Sequence, residues 1–354
     1  MSNLTAPGTA LAHTFTITVQ PSGRQFTADN NETILTAGLR QGVGMPYGCK
    51  DGACGSCKCK KIAGTVVHGA HQAKALSADE EAAGMVLTCC ATAQSDVLLE
   101  SRQVTELGAL PMKKMPVRVS SMARVSDDVM LLQLQLPATD PFVFRAGQYV
   151  EFILRDGSRR SYSMANAPHN GPGMELHIRH MPGGKFTDHV FTTLKEKDIL
   201  RLEGPQGSFF LREDSDKPLV FLASGTGFAP IKALLEHMQH LGCTRPVSLY
   251  WGARRPSDLY MHDWVLALTQ KMPQLRYVPV VSDALPQDAW TGRTGFVHRA
   301  VLEDFADLSD YQVYACGAPV VVDSARRDFI AQAHLPEDAF FADAFTSAAD
   351  KAGS

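Results

Sequence analysis

Three cysteines at fixed spacing constrain this chain more than any other feature. Cys49, Cys54 and Cys57 lie in the run Tyr47-Gly-Cys-Lys-Asp-Gly-Ala-Cys-Gly-Ser-Cys-Lys58, spaced Cys-x₄-Cys-x₂-Cys. A further thiol stands downstream in Val86-Leu-Thr-Cys-Cys-Ala91, as Cys89 or Cys90. That is the ligand arithmetic of a [2Fe–2S] cluster, in which four thiolates hold two irons. Gly48, Gly52 and Gly55 permit the tight turns and sulfur-directed N–H groups that such a loop needs. The alternative is structural zinc, but zinc sites usually present two close Cys pairs. Six of the eight cysteines crowd between Cys49 and Cys90, a clustering that reads as metal binding and not as a disulfide framework.

A chain of 354 residues is too long for one ordinary domain, and its 45% hydrophobic content is enough for real cores. The net charge of −3 argues against a nucleic-acid partner held by bulk charge. Met1 to His13 lacks a basic region followed by an apolar core, so no signal peptide is expected. No apolar run is long enough to span a membrane. The expected compartment is the cytoplasm.

The first segment, residues 13–103, opens with alternating Phe15, Ile17 and Val19, a strand period. Pro21-Ser-Gly23 turns the chain and Arg24 to Ala28 returns beside it. Glu32 to Gln41 reads as a helix. Lys58 to Ile62 and Thr65 to His68 read as short strands around Ala63-Gly64. Ser77-Ala-Asp-Glu80 is a capping box, and Val97 to Glu100 a last strand. A small mixed sheet crossed by a helix fits. This segment resembles the plant-type ferredoxin domain, a β-grasp fold. The resemblance implies Cys49, Cys54, Cys57 and Cys89 as cluster ligands, because the family motif Leu-x-Cys matches Leu87-Thr88-Cys89. Cys59 and Cys90 are then spare thiols.

Residues 104–115 read as a linker, and residues 116–213 as a second domain. Strands are expected at Val117 to Met122, Val129 to Leu136, Gln148 to Leu154, Arg159 to Met164, Met174 to Arg179 and Ile199 to Glu203. Short strands separated by Pro and Gly suggest an antiparallel β-barrel. Arg160-Ser-Tyr-Ser163 stands out. Arginine forks onto a pyrophosphate, tyrosine offers a ring face and a hydroxyl to a flavin, and a small Ser163 can sit beside a flavin N5. Gly183-Gly184-Lys-Phe-Thr187 then opens an amphipathic run, as suits a phosphate. Together with Arg145-Ala-Gly-Gln-Tyr-Val150 and Gly204-Pro-Gln-Gly-Ser-Phe209, this ordered set resembles the flavin domain of the ferredoxin–NADP reductase superfamily. It implies FAD, with Arg160, Tyr162 and Ser163 at the flavin and Gly184, Lys185, Phe186 and Thr187 near the pyrophosphate.

The third segment, residues 216–354, alternates strands and helices, which argues for a parallel α/β sheet. Pro218 to Ala223 is a buried-strand run. It feeds Ser224-Gly-Thr-Gly-Phe-Ala-Pro230, where Gly225, Thr226 and Gly227 precede a helix and Pro230 suits its first turn. This resembles the NAD(P)H-binding domain of the same superfamily. The resemblance implies that Cys316, in Cys316-Gly317 with Pro319, lies by the nicotinamide. It also implies an aromatic near the C-terminus that covers the flavin, Phe345 first and Phe341 second. Arg254 and Arg255 could meet a 2′-phosphate. The domain order resembles oxygenase reductases, in which NADH is usual, and so favours NADH over NADPH.

NAD(P)H gives a hydride, a [2Fe–2S] cluster takes one electron, and a flavin adapts the two. The whole chain therefore resembles a reductase component that passes electrons from NAD(P)H to FAD, to the cluster, and to an oxygenase or a deoxysugar dehydrase. The Cys loop and its Cys-Cys-Ala partner resemble the CDP-6-deoxy-glucoseen reductase type. The alternatives are a free-flavin or ferric reductase, and a non-enzymatic, metal-stabilised redox sensor that binds nucleotides.

Overall fold

The computed structural model describes residues 13–106 and 112–346, which fall into two compact units. The opening residues 1–12 and residues 107–111 of the expected linker lie outside the described residues. Among the described residues, no helix is long and apolar enough to cross a membrane.

The first unit contains β1 (Thr14–Gln20), β2 (Arg24–Asp29), α1 (Ile34–Arg40), β3 (Val43–Gly44), β4 (Lys58–Ala63) and β5 (Val66–His68). It continues through α2 (Ala78–Ala82), β6 (Met85–Leu87), β7 (Ala91–Ala93), β8 (Val97–Glu100) and β9 (Thr105–Glu106). The main sheet is mixed, ordered β2-β1-β8-β4-β6, with β1 parallel to β8. Strand alternation buries Ile17 and Val19 on one face, and α1 lays Ile34, Leu35 and Ala37 into the same core. Thr33 caps α1 through its side chain, and Ser77 with Glu80 forms the expected capping box on α2. This is the β-grasp arrangement. The strands that flank Ala63-Gly64 do not pair with each other: β4 joins β6 and β8, while β5 pairs with β7. Strand pairing also reaches into the expected linker, because β9 pairs with β3.

The second unit begins with a six-stranded sheet: β10 (Lys113–Ser126), β11 (Val129–Gln135), β12 (Tyr149–Ile153), β13 (Arg159–Ser163), β14 (Gly173–Arg179) and β15 (Ile199–Gln206), with α3 (Lys185–Thr192) before β15. Its order is β13-β12-β15-β10-β11-β14, antiparallel throughout. An antiparallel bridge between Met164 and Leu176 joins the two edges and closes a barrel. Val117, Val119, Leu132, Leu134, Val150, Phe152, Ile178 and Phe186 fill it.

The same unit continues with β16 (Leu219–Ser224), α4 (Phe228–His240), β17 (Val247–Ala253), α5 (His262–Thr269), β18 (Leu275–Val281) and β19 (Arg293–Thr294). It ends with α6 (Val297–Asp304), β20 (Gln312–Gly317), α7 (Pro319–Ala333) and β21 (Phe340–Ala344). The sheet order is β19-β18-β17-β16-β20-β21 and every pairing is parallel. Successive strand residues face opposite layers. Phe221, Leu249 and Trp251 join one core with α4, while Val220, Leu222 and Tyr250 join another with α7. Chain order reverses at β16, which has β17 on one side and β20 on the other. In open α/β sheets, ligands bind outside the carboxyl ends of the strands at such a switch point.

Candidate functional site

In the first unit the Cys loop folds back on its own sulfurs. Ala53 N and Cys54 N donate to Cys49 Sγ at 3.4 and 3.3 Å, and Cys49 N donates to Cys54 Sγ at 3.4 Å. Gly52 takes φ +74°, and a Cβ there would stand 2.8 Å from His71 Cβ, so only glycine fits. The fourth thiol is brought in by Thr88, which is fully buried. Its N and Oγ1 both donate to the Cys57 carbonyl, at 3.4 and 3.2 Å, and so fix Cys89 beside Cys57.

Among the described residues, no group of three or more His, Cys, Asp or Glu is arranged to hold a single metal ion. Cys49 adjoins both Cys54 and Cys89, and Cys57 adjoins Cys89. Cys54 beside Cys49 favours its ionisation, but Cys89, burial and Asp51 outweigh it and push Cys49 to about 11. Cys49, followed by burial, raises Cys54; Cys89, followed by burial, raises Cys57. Four such neighbours ionised together would repel one another strongly, and cluster irons remove that cost. Cys59 is different. Burial alone pushes it to about 12, with no thiol beside it. Cys90 lies against Cys89, and its Sγ donates to the Leu87 carbonyl at 3.7 Å. The donor set of Cys49, Cys54, Cys57 and Cys89 therefore fits the group.

In the second unit, β13 carries the Arg-x-Tyr-Ser run. Arg160 and Tyr162 share one strand face, opposite Phe152 and Val150 of β12. The Tyr162 ring is half-buried against Phe152 and Phe186, with centroids 6.0 and 5.2 Å away. Phe186 stacks on Phe152 at 4.6 Å and is buried, so its side chain fills the barrel. Thr187 Oγ1 donates to the Met181 carbonyl at 2.9 Å. Lys185 forms an exposed ion pair with Asp156 at 2.5 Å. Gly184 N donates to the Met181 carbonyl at 2.8 Å, which leaves the N–H groups of Lys185, Phe186 and Thr187 as those that open α3.

At the switch point, the loops after β16 and β20 are pressed together. A Cβ on Gly227 would stand 2.2 Å from the Cys316 carbonyl oxygen, and Gly317 sits at φ +125°. Trp251 Nε1 donates to the Gly225 carbonyl at 3.0 Å, and its ring stacks on Phe228 at 4.0 Å. These contacts set Gly225, Thr226 and Gly227 at the mouth of α4, with Pro230 in its first turn. Cys316 is fully buried. Phe345 N donates to the Gly317 carbonyl at 2.8 Å, and its ring is half-buried. Phe341, the second aromatic candidate, is a core residue stacked on Tyr314 at 4.6 Å.

Three residues of consequence escaped the sequence reading. Asp343 on β21 is buried, and Ser163 Oγ donates to its Oδ2 at 2.9 Å. Cys316 Sγ stands 3.9 Å from the same oxygen. Burial lifts the Asp343 carboxyl to about 6, although Ser163 and Cys316 both act to lower it. One buried carboxyl thus joins the expected flavin residue to the expected nicotinamide residue. Arg179, paired with Asp128 at 2.7 Å, places Nη1 2.6 Å from where a Gly225 Cβ would be. Lys232 of α4 is buried, with Nζ 2.6 Å from Glu236, 3.1 Å from Glu175 and 3.1 Å from the Ala165 carbonyl. Burial opposes ionisation of Glu175, but His177 and Lys232 prevail and hold it near 2. The only sequence signals were a charge inside an apolar strand and a lysine inside an apolar helix.

Fold and sites together define an electron-transfer reductase that uses a flavin and an iron–sulfur cluster. Comparison with known proteins agrees. Residues 17–94 match the 2Fe-2S iron-sulfur cluster binding domain. Residues 116–211 match the oxidoreductase FAD-binding domain, and residues 221–327 the oxidoreductase NAD-binding domain. The chain is 43% identical over 332 residues to the CDP-6-deoxy-L-threo-D-glycero-4-hexulose-3-dehydrase reductase of Yersinia pseudotuberculosis, covering 93% of this chain and 98% of that one. It is 37% identical to reductase component 2 of the terephthalate 1,2-dioxygenase of a Comamonas species, covering 94% and 97%. The crystal structure of the Amycolatopsis cytochrome P450 reductase GcoB superposes with a TM-score of 0.76 at 32% identity, covering 95% of this chain and 100% of that one. The chain belongs to the ferredoxin–NADP reductase superfamily, among the reductases that carry an N-terminal plant-type [2Fe–2S] domain. It is an NAD(P)H-dependent oxidoreductase whose cofactors are FAD and a [2Fe–2S] cluster.

Proposed function

We propose that this chain is the cytoplasmic reductase of a multicomponent system, with an oxygenase or a deoxysugar dehydrase as its electron acceptor. The domains in this reading are 13–103 for the cluster, 116–213 for FAD and 216–354 for NAD(P)H, with 104–115 as linker. When bound, the nicotinamide supplies a hydride, the flavin accepts two electrons and returns them singly, and the cluster carries one at a time. The protein orients these groups. Cys49, Cys54, Cys57 and Cys89 hold the irons. Arg160 and Tyr162 hold FAD from one strand face, and the N–H groups of Lys185, Phe186 and Thr187, which open α3 after Gly184, take its pyrophosphate. Gly225, Thr226, Gly227 and Pro230 present the mouth of α4 to the dinucleotide. Cys316 and Gly317 border the nicotinamide, and Phe345 shields the flavin until the nicotinamide arrives.

The observation that supports this most is the hydrogen bond from Ser163 to Asp343 at 2.9 Å, with Cys316 beside it. It ties the hydroxyl expected at flavin N5 to the thiol expected at the nicotinamide. The dehydrase branch is favoured by the Cys loop, Tyr47 to Cys57, and by the 43% identity to a dehydrase reductase. Reconstitution tests the reading. NADH oxidation by the purified chain should support turnover by a 3-dehydrase or a ring oxygenase. Rapid NADH oxidation that no such partner can draw on would refute it.

A further inference from the structure

We propose that Lys232 and Glu236 are positioning residues for hydride transfer, because together they clamp α4 to the chain that leaves Ser163. The proposal rests on the nucleotide-binding reading above and deepens it. β13 ends at Ser163, and the chain then crosses to β14 through residues 164–172. Ala165 and Ala167 in that crossing are fully buried. Their backbone groups therefore need partners inside the protein. The barrel supplies some of them: Ala165 N donates to the Glu175 carbonyl at 2.8 Å. Two others are served by α4. The Ala165 carbonyl accepts from Lys232 Nζ at 3.1 Å, and Ala167 N donates to Glu236 Oε2 at 2.9 Å. Asn170 Nδ2 donates to that same oxygen at 2.6 Å.

The two side chains are also matched to each other. They stand one turn apart on α4, and Lys232 Nζ donates to Glu236 Oε1 at 2.6 Å. The ammonium meets Glu175 of β14 as well, at 3.1 Å. The Lys232, Glu236 and Glu175 side chains are only 5%, 13% and 14% exposed, so each depends on the others for its counter-charge. Sliding α4 along the barrel would strand an ammonium, two carboxylates and two backbone groups at once. Lys232 lies one turn after Phe228, which opens α4 directly behind the Gly225 to Gly227 loop. At the far end of the clamp, Ala165 is two residues past Ser163. A short, buried path thus ties the loop that receives the dinucleotide to the hydroxyl expected at flavin N5. Hydride transfer is sensitive to such placement, since an error of about 1 Å can cost about a hundredfold in rate.

The test uses full-length protein with both cofactors bound. Stopped-flow absorbance gives the limiting rate of flavin reduction at saturating NADH and the NADH concentration for half that rate. Glu236→Ala should lower the limiting rate about tenfold and leave the half-saturating concentration within about twofold. FAD content should be unchanged. Oxidation of the dithionite-reduced variant by ferricyanide should match the wild type, because that step needs no nicotinamide. Asn170→Ala removes one bond to the same Glu236 oxygen from an exposed loop, and should lower the limiting rate by about twofold to threefold. It carries the test alone if Glu236→Ala does not fold. A wild-type limiting rate in either purified variant would overturn the assignment. So would a fall that appears equally in half-saturation, in FAD content or in ferricyanide reduction, since that marks a general structural role. A wild type whose flavin NADH does not reduce defeats the reductase reading itself, a separate and recognisable failure.

Discussion

Ser163 and Asp343 are 180 residues apart in sequence, yet the serine hydroxyl donates to the aspartate carboxyl at 2.9 Å in a buried setting. One comes from the barrel and the other from the last strand of the parallel sheet. The bond fixes the serine rotamer and leaves its hydroxyl oxygen able to accept a hydrogen bond from a neighbour.

Removing that hydroxyl should slow hydride transfer without weakening nucleotide binding. Ser163→Ala is expected to lower the rate of flavin reduction by NADH about tenfold or more, with little change in KM. Stopped-flow absorbance measures it. An unchanged rate would show that Ser163 has no part in the step.

The buried carboxyl should also leave a mark on stability. Burial lifts Asp343 to about 6, whereas an unfolded aspartate titrates near pH 4. Between those values the folded chain holds a proton that the unfolded chain releases, so stability falls as pH rises from about 4 to about 6. Above that window the full cost is present, on the order of 2–3 kcal/mol. Asp343→Asn should melt higher than the wild type at neutral pH, and the two curves should converge near pH 4. Parallel curves across that range would contradict the shift.

The fold was largely legible in the sequence, because alternating apolar residues mark strands such as Phe15 to Val19 and strand–helix alternation marks the parallel sheet. The glycine turn at Gly225 to Gly227 was legible for the same reason, since it follows a buried run and opens a helix. What stayed hidden is what only tertiary contact creates. Asp343 looks like any strand aspartate until register sets it opposite Cys316 on β20. Phe186 looks like part of a phosphate loop, but its ring completes the barrel core with Phe152. Arg255 reads equally as a phosphate ligand or as part of a solvated turn until the end of β18 brings in Asp283.

We propose Cys59 and Cys90 as the spare thiols, although Cys90 lies against Cys89. Cys89→Ser should lose most of its iron and acid-labile sulfide, whereas Cys90→Ser and Cys59→Ser should retain them. Chemical analysis of the three purified variants decides the matter. Loss of cluster in Cys90→Ser with retention in Cys89→Ser would move the fourth ligand to Cys90.

Lys232 carries a stability prediction. Its ammonium is buried among Glu175, Glu236 and the Ala165 carbonyl. Lys232→Met leaves two carboxylates without their cation and should cost about 3–5 kcal/mol. Combining it with Glu236→Gln should recover part of that loss. Denaturant titration of the single and double variants measures both terms.

The most direct test follows the electrons through the intact chain. Purified protein with both cofactors bound is titrated anaerobically with NADH while its visible spectrum is recorded. Both the flavin bands and the iron–sulfur band should bleach in the same titration, because hydride electrons pass from one group to the other. Bleaching of the flavin alone, with the iron–sulfur band unchanged by excess NADH, would contradict electron transfer between them.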